Sequence, residues 1–362
     1  MDGGNIFLTL LQKLAPADAP GWMLALVAAG VGIAILIALI TVLVMFSVWL
    51  ERKVSGHIQC RFGPMYAGGW HGWAQSIADG VKLLSKEDLI PLGSDKPLFI
   101  LAPALMLASI FGALAVMPLA PGVWFADLNL GLFAILALSS MTTIGVVMAG
   151  WSSNSKWSLY GSMREAAQVI AYEIPLGISL LVPLMVVGTF NLREASAQQA
   201  GWFGMHWVIF QNPFVLPAFV LFFTAALAET KRAPFDLPES ESELVAGFMT
   251  EYSGIRWSFF MLEEYAAMFL FSVIAAVFFL GGFESPLTHH ARESCGAGSV
   301  VHEVVAGATL MAKGMFGVFL MMWLRWTLPR VRIDQVMGMG YKYLTPLALA
   351  CVLGAGVWEA IF

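Results

Sequence analysis

The segment from Ala228 to Glu243, AETKRAPFDLPESESE, places five carboxylates (Glu229, Asp236, Glu239, Glu241 and Glu243) and two cations (Lys231 and Arg232) in sixteen residues. Crowded carboxylates have a chemistry that separated ones lack. Two of them about 6 Å apart, at an effective dielectric of about 20, repel by about 3 kcal/mol, enough to keep a proton on one near neutral pH. Such a pair releases its proton when a nearby charge changes, so it can carry protons. A helix N-terminus in water is the plainer reading. Asp236 and Glu239 fit a D-x-x-E capping box with Pro238 in the first turn, which predicts a short helix from about Leu237. Glu239 and Glu243 then share one face, while Glu241 projects elsewhere. The helix dipole explains two of these acids. It does not explain Glu229, Glu251 and Glu264 around them.

Further charges lie within apolar runs, where each is a functional hypothesis by default. Glu173 sits in AYEIPLG, just before a proline that frees a backbone carbonyl, and Lys313 sits in LMAKGMFG. Either could instead lock two helices together, and a partner for Lys313 must come from another helix. Glu263 and Glu264 open another run in FFMLEEYAAMF. A second constellation, LERKVSGHIQCRFGP, gathers Glu51, Arg52, Lys53 and Arg61. Cations at such a boundary commonly anchor topology. Ringed by apolar residues, with Phe259 and Phe260 on a neighbouring run, they would also suit an amphipathic ligand whose tail stays in lipid.

The elements that must position these residues are membrane helices. The chain is 59% hydrophobic and 12% charged, with a mean hydropathy of +0.78 over 362 residues, more apolar surface than one water-facing core can hold. A bilayer core about 30 Å thick calls for roughly 20 apolar residues per helix. Eight runs qualify, near 22–49, 98–120, 131–150, 166–188, 213–230, 259–281, 305–327 and 343–360. No strand alternation is present, so the expected fold is an all-α polytopic membrane protein of about eight transmembrane helices, forming a single membrane domain over 1–362. With the N-terminus outside, the odd-numbered loops, counting Arg325 at the edge of the seventh run, carry 15 of the 19 cations, which places them on the inner side.

The long loop 50–97 contains Trp73, Ile77, Val81 and Leu84 at helical spacing, with Asp79, Lys82 and Lys86 elsewhere on the wheel; this predicts an amphipathic helix along the membrane surface. NIFLTLLQKL near the N-terminus suits a short interfacial helix or a frayed end. The loop 282–304 reads as a solvated outer loop, since adjacent His289 and His290 point apart and, with His302, supply no metal-ligand spacing. No basic n-region precedes the first run, so no removable signal peptide is expected. Three scattered cysteines cannot ligate an iron-sulfur cluster, and no dinucleotide, P-loop or HExxH motif occurs.

Four inner-loop segments, ERKVSGHIQCRFGP, GWSSNSKWSLYGSMREAAQVIAYE, AETKRAPFDLPESESELVAGFMTEYSG and WLRWTLPRVRIDQ, resemble the NADH dehydrogenase subunit 1 family of respiratory complex I, the proton-pumping NADH:quinone oxidoreductase. The resemblance implies an eight-helix membrane subunit without a redox cofactor that joins the electron-transfer arm to the membrane arm and forms much of the quinone tunnel. It implies quinone, ubiquinone in particular, as substrate, with NADH, FMN and iron-sulfur clusters in partner subunits of a bacterial inner-membrane assembly. It assigns Arg52, Arg61, Asp79, Phe259, Phe260 and Arg325 to the tunnel and its entrance. It assigns Glu173, Glu229, Asp236, Glu239, Glu241, Glu243, Glu251 and Glu264 to an acidic path toward the membrane arm. Glu165 departs from the family pattern, which has a small residue there, and the loop 284–303 is longer than usual. A membrane anchor of a related hydrogenase or other donor-linked dehydrogenase is the alternative within the superfamily. A secondary transporter coupling through Glu173 and Lys313 is the alternative outside it.

Overall fold

The computed structural model describes residues 21–201, 206–238, 241–296 and 298–361. The predicted interfacial segment near the N-terminus and Glu239 lie outside the described residues. The described chain is all helical apart from turns and loops. The long helices are α1 (Gly21–Ile58), followed after a surface helix α2 (Gln75–Ser85) by α3 (Lys96–Val116), α4 (Gly131–Ser152) and α5 (Lys156–Val187). Short helices α6 (Leu192–Ala197) and α7 (Val208–Gln211) lead to α8 (Val215–Glu229) and α9 (Glu241–Leu244). Then come α10 (Gly254–Phe279), α11 (Pro286–Cys295), α12 (Val300–Thr327), α13 (Ile333–Gly338) and α14 (Thr345–Ile361), the last two joined by a π-helical turn over Met339–Leu344.

Among the described residues seven helices are long and apolar enough to cross a membrane, α13 to α14 counting as one. The chain is therefore a multi-pass membrane protein. The fifth predicted span, 213–230, is the 15-residue helix α8, about 22 Å long and short of a full crossing. It stops because Lys231 turns into a left-handed conformation (φ 57°) and the chain enters the interior of the protein.

Helix α10 is the centre of the bundle. Every residue from Glu263 to Phe279 is buried, as expected of a helix apolar almost all round. By contrast, α1 and α14 present mostly exposed apolar side chains, such as Leu26, Ile33, Val42, Leu353 and Val357, the surface a lipid-facing helix offers.

Two helices run past their predicted apolar limits. Hydropathy registers α1 to residue 49 and α5 only from 166, but the helices extend to Ile58 and begin at Lys156. Their polar ends stay helical because they pack: Ser55, Ser158, Gly161, Ser162 and Glu165 are all buried. At Gly161 a Cβ would come within 2.7 Å of the Gly247 Cα, so glycine is what lets α5 touch the turn 247–249.

Loops alternate between two ends of the bundle. At the cation-rich end, Asp95 N–H donates to Ser152 O, Leu89 N–H to Ser253, Ser158 to Phe248 O and Val331 N–H to Pro234 O. At the opposite end, Asn191 and Arg193 hold Asp127, and Gly122 N–H donates to Glu303. The loop 282–304, expected to be solvated coil, contains helix α11, capped reciprocally by Ser285 and Thr288 and braced by Arg292 to Glu284. Lys313 donates to the carbonyls of Leu280 (2.6 Å), Gly282 (2.9 Å) and Glu284 (2.8 Å), closing the C-terminal end of α10. Its three protons are thus engaged there, and nothing couples it to Glu173.

Candidate functional site

The ionic core lies where α1, α5, α10 and the chain after α8 meet. Arg232, 1% exposed, donates from Nη1 to both oxygens of Glu51 at 3.0 Å, stands 2.7 Å from Glu264 through Nε and stacks over the Tyr265 ring at 4.4 Å. Tyr265 also donates to Glu51 (2.7 Å), and Arg325 completes the set from α12. Two guanidinium groups thus meet two carboxylates. This first group is balanced in charge, the condition under which a buried ionic network persists. It draws Arg232 well above the ordinary arginine range, against the opposing effect of burial, through Glu264 and Glu51.

A second group adjoins it and is not balanced. Lys231 Nζ lies 2.5 Å from Glu165 and 3.4 Å from Glu263, the three side chains being at most 4% exposed. Glu229 is buried in the same field, with Glu173, Lys231, Glu263 and Glu165 as its charged neighbours, and its Oε2 has no hydrogen-bond partner. Glu173 is half-buried on α5, near Ser140 of α4. One ammonium therefore meets two carboxylates, with Glu229 in the same field and Glu173 next to Glu229.

Local sequence explains the placement. Gln168 donates to the carbonyls of Ala228 and Phe235 (2.8 and 2.9 Å), pinning both ends of the turn that holds Lys231 and Arg232. Phe235 and Leu237 are 2% and 4% exposed. These contacts overrule the predicted helix start at Leu237: Leu237 and Pro238 are not helical, and the described helix α9 spans Glu241–Leu244. Asp236 faces Arg330 at 3.6 Å, with burial pushing its carboxyl up and Arg325 and Arg330 opposing. Glu243 is exposed and accepts from Arg164 at 2.6 Å, which holds its carboxyl below the usual range. Glu251 is half-buried in the turn before α10. The side chain of Glu241, like Glu239, is outside the described residues.

Beside this core, α1 and the segment 70–77 enclose an apolar groove of about 630 Å³ lined by Val42, Met45, Phe46, Trp49, Trp70, His71, Trp73, Ser76 and Ile77. Ser76 Oγ donates to Met45 O and Trp49 to His71 O, holding the segment on α1. Gly72 (φ 65°) makes this possible, since a Cβ there would sit 2.5 Å from Pro64 O. Helix α2 follows as predicted, and Ile77, Val81 and Leu84 leave an exposed apolar face. A smaller cavity of about 330 Å³ includes Arg52 and Arg61 in its wall, and Arg52 pairs with Asp79. The structure thus brings Arg52, Arg61 and Asp79 together. Phe260 is fully buried edge-on to Phe248 and Tyr252, and Phe259 is half-buried; neither lines these two cavities.

The expected acids Glu173, Glu229 and Glu264 do converge, with Asp236 at the edge. Glu51, Glu165, Lys231, Arg232 and Glu263 also belong to this core, though the sequence assigned them no such part. The signal that could have found them was their charge within or beside apolar runs; for Glu51, Lys231 and Arg232 the anchoring of helix ends accounted for it equally well.

A multi-pass helical protein with a charged interior beside an apolar groove is the class that fold and site define. The family model described as NADH dehydrogenase matches residues 31–355. The chain is 42% identical over 98% of its length to the H subunit of the NADH-quinone oxidoreductase of Chlorobium luteolum, covering 94% of that protein. It is 43% identical to the corresponding protein of a Geobacillus species (95% of this chain, 98% of that one) and 46% identical to that of Bacillus mycoides (88% and 90%). This chain belongs to the NADH dehydrogenase family of membrane subunits.

Proposed function

We propose that this chain is the quinone-channel subunit of a bacterial, proton-pumping NADH:quinone oxidoreductase, with its cation-rich end on the inner side of the membrane. The observation that carries the reading is the acid-rich group around Glu229, buried next to a balanced ionic core and beside an apolar groove. A groove of this volume suits a small amphipathic ligand. The isoprenoid tail of a quinone would lie along α1 and the aromatic residues of segment 70–77, with the polar head toward Arg52, Arg61 and Asp79. Phe259 and Phe260 would stiffen the wall behind it, and Arg325 would join the groove to the core through Glu51.

Reducing a quinone to quinol takes two electrons and two protons. The electrons would arrive from the NADH-oxidising partner subunits, which carry the flavin and iron-sulfur clusters; this chain supplies binding and charge. Negative charge arriving on the quinone changes the field at Asp236, Glu264 and Glu229. Because Glu229 and Glu173 lie close together outside the salt bridges of Arg232 and Arg325, that change shifts a proton between them, whereas the balanced core stays ionised and fixed. Glu173 then passes the proton toward the membrane arm, with Glu239, Glu241, Glu243 and Glu251 loading the path from the loop.

Replacing Glu229 with Gln in the assembled enzyme tests this. Proton translocation should fall by about 100-fold, the low end of what a positioned proton carrier supplies, with the subunit still assembled. Unchanged translocation would rule out the relay.

A further inference from the structure

Lys231 stands between two buried carboxylates that the path above leaves out. One comes from α5, Glu165, and one from α10, Glu263, with Lys231 supplied by the turn after α8. Two carboxylates share one ammonium, so the fully ionised triad has an excess negative charge where each side chain is at most 4% exposed. Such a charge is costly, and one added proton cancels it. Two further observations point to where that proton sits. Oε2 of Glu165, wholly buried, has no hydrogen-bond partner, and neither has Oε2 of Glu229. An open buried carboxylate oxygen is where a proton removes the penalty of an unmet acceptor.

The surroundings leave few other compensating groups. The strongest charged neighbours of Glu165 are Lys231, Glu263 and Glu264, and those of Glu229 are Glu173, Lys231, Glu263 and Glu165. The adjacent Arg232 is already matched by Glu51 and Glu264. Beneath Lys231 lies the Phe248 ring, 5.4 Å away.

We propose that Glu165, Lys231 and Glu263 form a proton-holding site, with one proton shared between the two carboxylates across the lysine, and that this site loads Glu229. In its loaded form the triad is neutral. Transfer of the proton to an ionised Glu229 leaves the triad with one negative charge and Glu229 neutral, so total charge is conserved; uptake of a proton from the cation-rich end restores the start. Lys231, on a flexible four-carbon stem, follows whichever carboxylate is ionised.

This inference rests on the relay reading above, and the test separates the two. In the assembled enzyme, Glu165→Gln and Glu263→Gln each leave Lys231 in a neutral pair with the remaining acid, removing the shared proton and keeping the charge matched. Each variant should translocate protons about 10-fold more slowly or worse and lose a carboxyl stretching band from the infrared difference spectrum of quinone reduction. Glu165→Asp should restore both. If Glu229→Gln stops translocation while both triad variants pump normally and keep every carboxyl band, the triad is only a structural ion pair and the relay survives without it. If Glu229→Gln itself pumps normally, the relay falls and the triad's role with it. Should one triad variant not assemble, the other decides.

Discussion

Arg232 joins more of this molecule than any pairwise contact would suggest. It holds Glu51 of α1 and Glu264 of α10 and covers Tyr265, so three parts of the chain depend on one guanidinium. Its planar fork suits that task and an ammonium would not. Replacing Arg232 with Met leaves Glu51 with Arg325 and Tyr265, and Glu264 without its partner. A loss of about 3–5 kcal/mol is expected for breaking a buried pair on one side. The measurement is the amount of subunit retained in membranes and its thermal unfolding; Arg232→Lys should recover only part of the loss. Lys231, next in the chain, has the opposite character, since its carboxylates outnumber it. Adjacent cations in one sequence motif thus have different parts, one fixing structure and the other facing groups that can exchange a proton.

At the scale of elements, α5 and the loop containing α9 are held by two unlike contacts. One is dry and permanent, the close approach of Gly161 to Gly247. The other is exposed and titratable, the pair of Arg164 with Glu243. Arg164 holds the Glu243 carboxyl below its usual range, so the contribution of the pair is complete above the ordinary glutamate pKa and disappears as pH falls through the lowered value. Amide hydrogen exchange over 241–246, taken relative to the intrinsic rate at each pH, should therefore be faster at about pH 3 than at about pH 6. In Glu243→Gln the faster exchange should already be present at about pH 6. Exchange that is slow and equal in both proteins would show that Gly161 and its neighbours alone hold the loop. The predicted helix start at Leu237 failed for a related reason. A capping box is a local device worth about 1 kcal/mol, and burial of Phe235 and Leu237, with Gln168 on the Phe235 carbonyl, outweighs it.

For the whole molecule, the alternation of loops between two ends carries a direct test of orientation. Cys60 and Cys295 are exposed and lie in loops at opposite ends, whereas Cys351 is buried in α14. A membrane-impermeant thiol reagent added to intact cells should label Cys295 and spare Cys60; inverted vesicles should give the reverse. Labelling of Cys60 from outside would turn the protein over and put the acid-rich core near the other face. The apolar runs, the surface helix α2 and the costly charges Glu173 and Glu264 were legible in the sequence, whereas the gathering of Glu173, Glu229 and Glu264 was implied by the family resemblance. Hydropathy and helical period act locally, and a charge in an apolar run demands an explanation wherever it occurs. Ion pairing is not local. Glu51 meets Arg232 and Arg325 across 181 and 274 residues, and no spacing rule links such positions. By itself, then, the sequence determined a bundle of membrane helices, the segregation of its cations and the presence of costly buried acids, because the bilayer tests each segment separately. Only the tertiary structure decided which acids are matched by a cation and which are left to compete for one, because that depends on distances across the bundle, and a charge in a dry interior is stable or titratable according to the partners within a few ångströms.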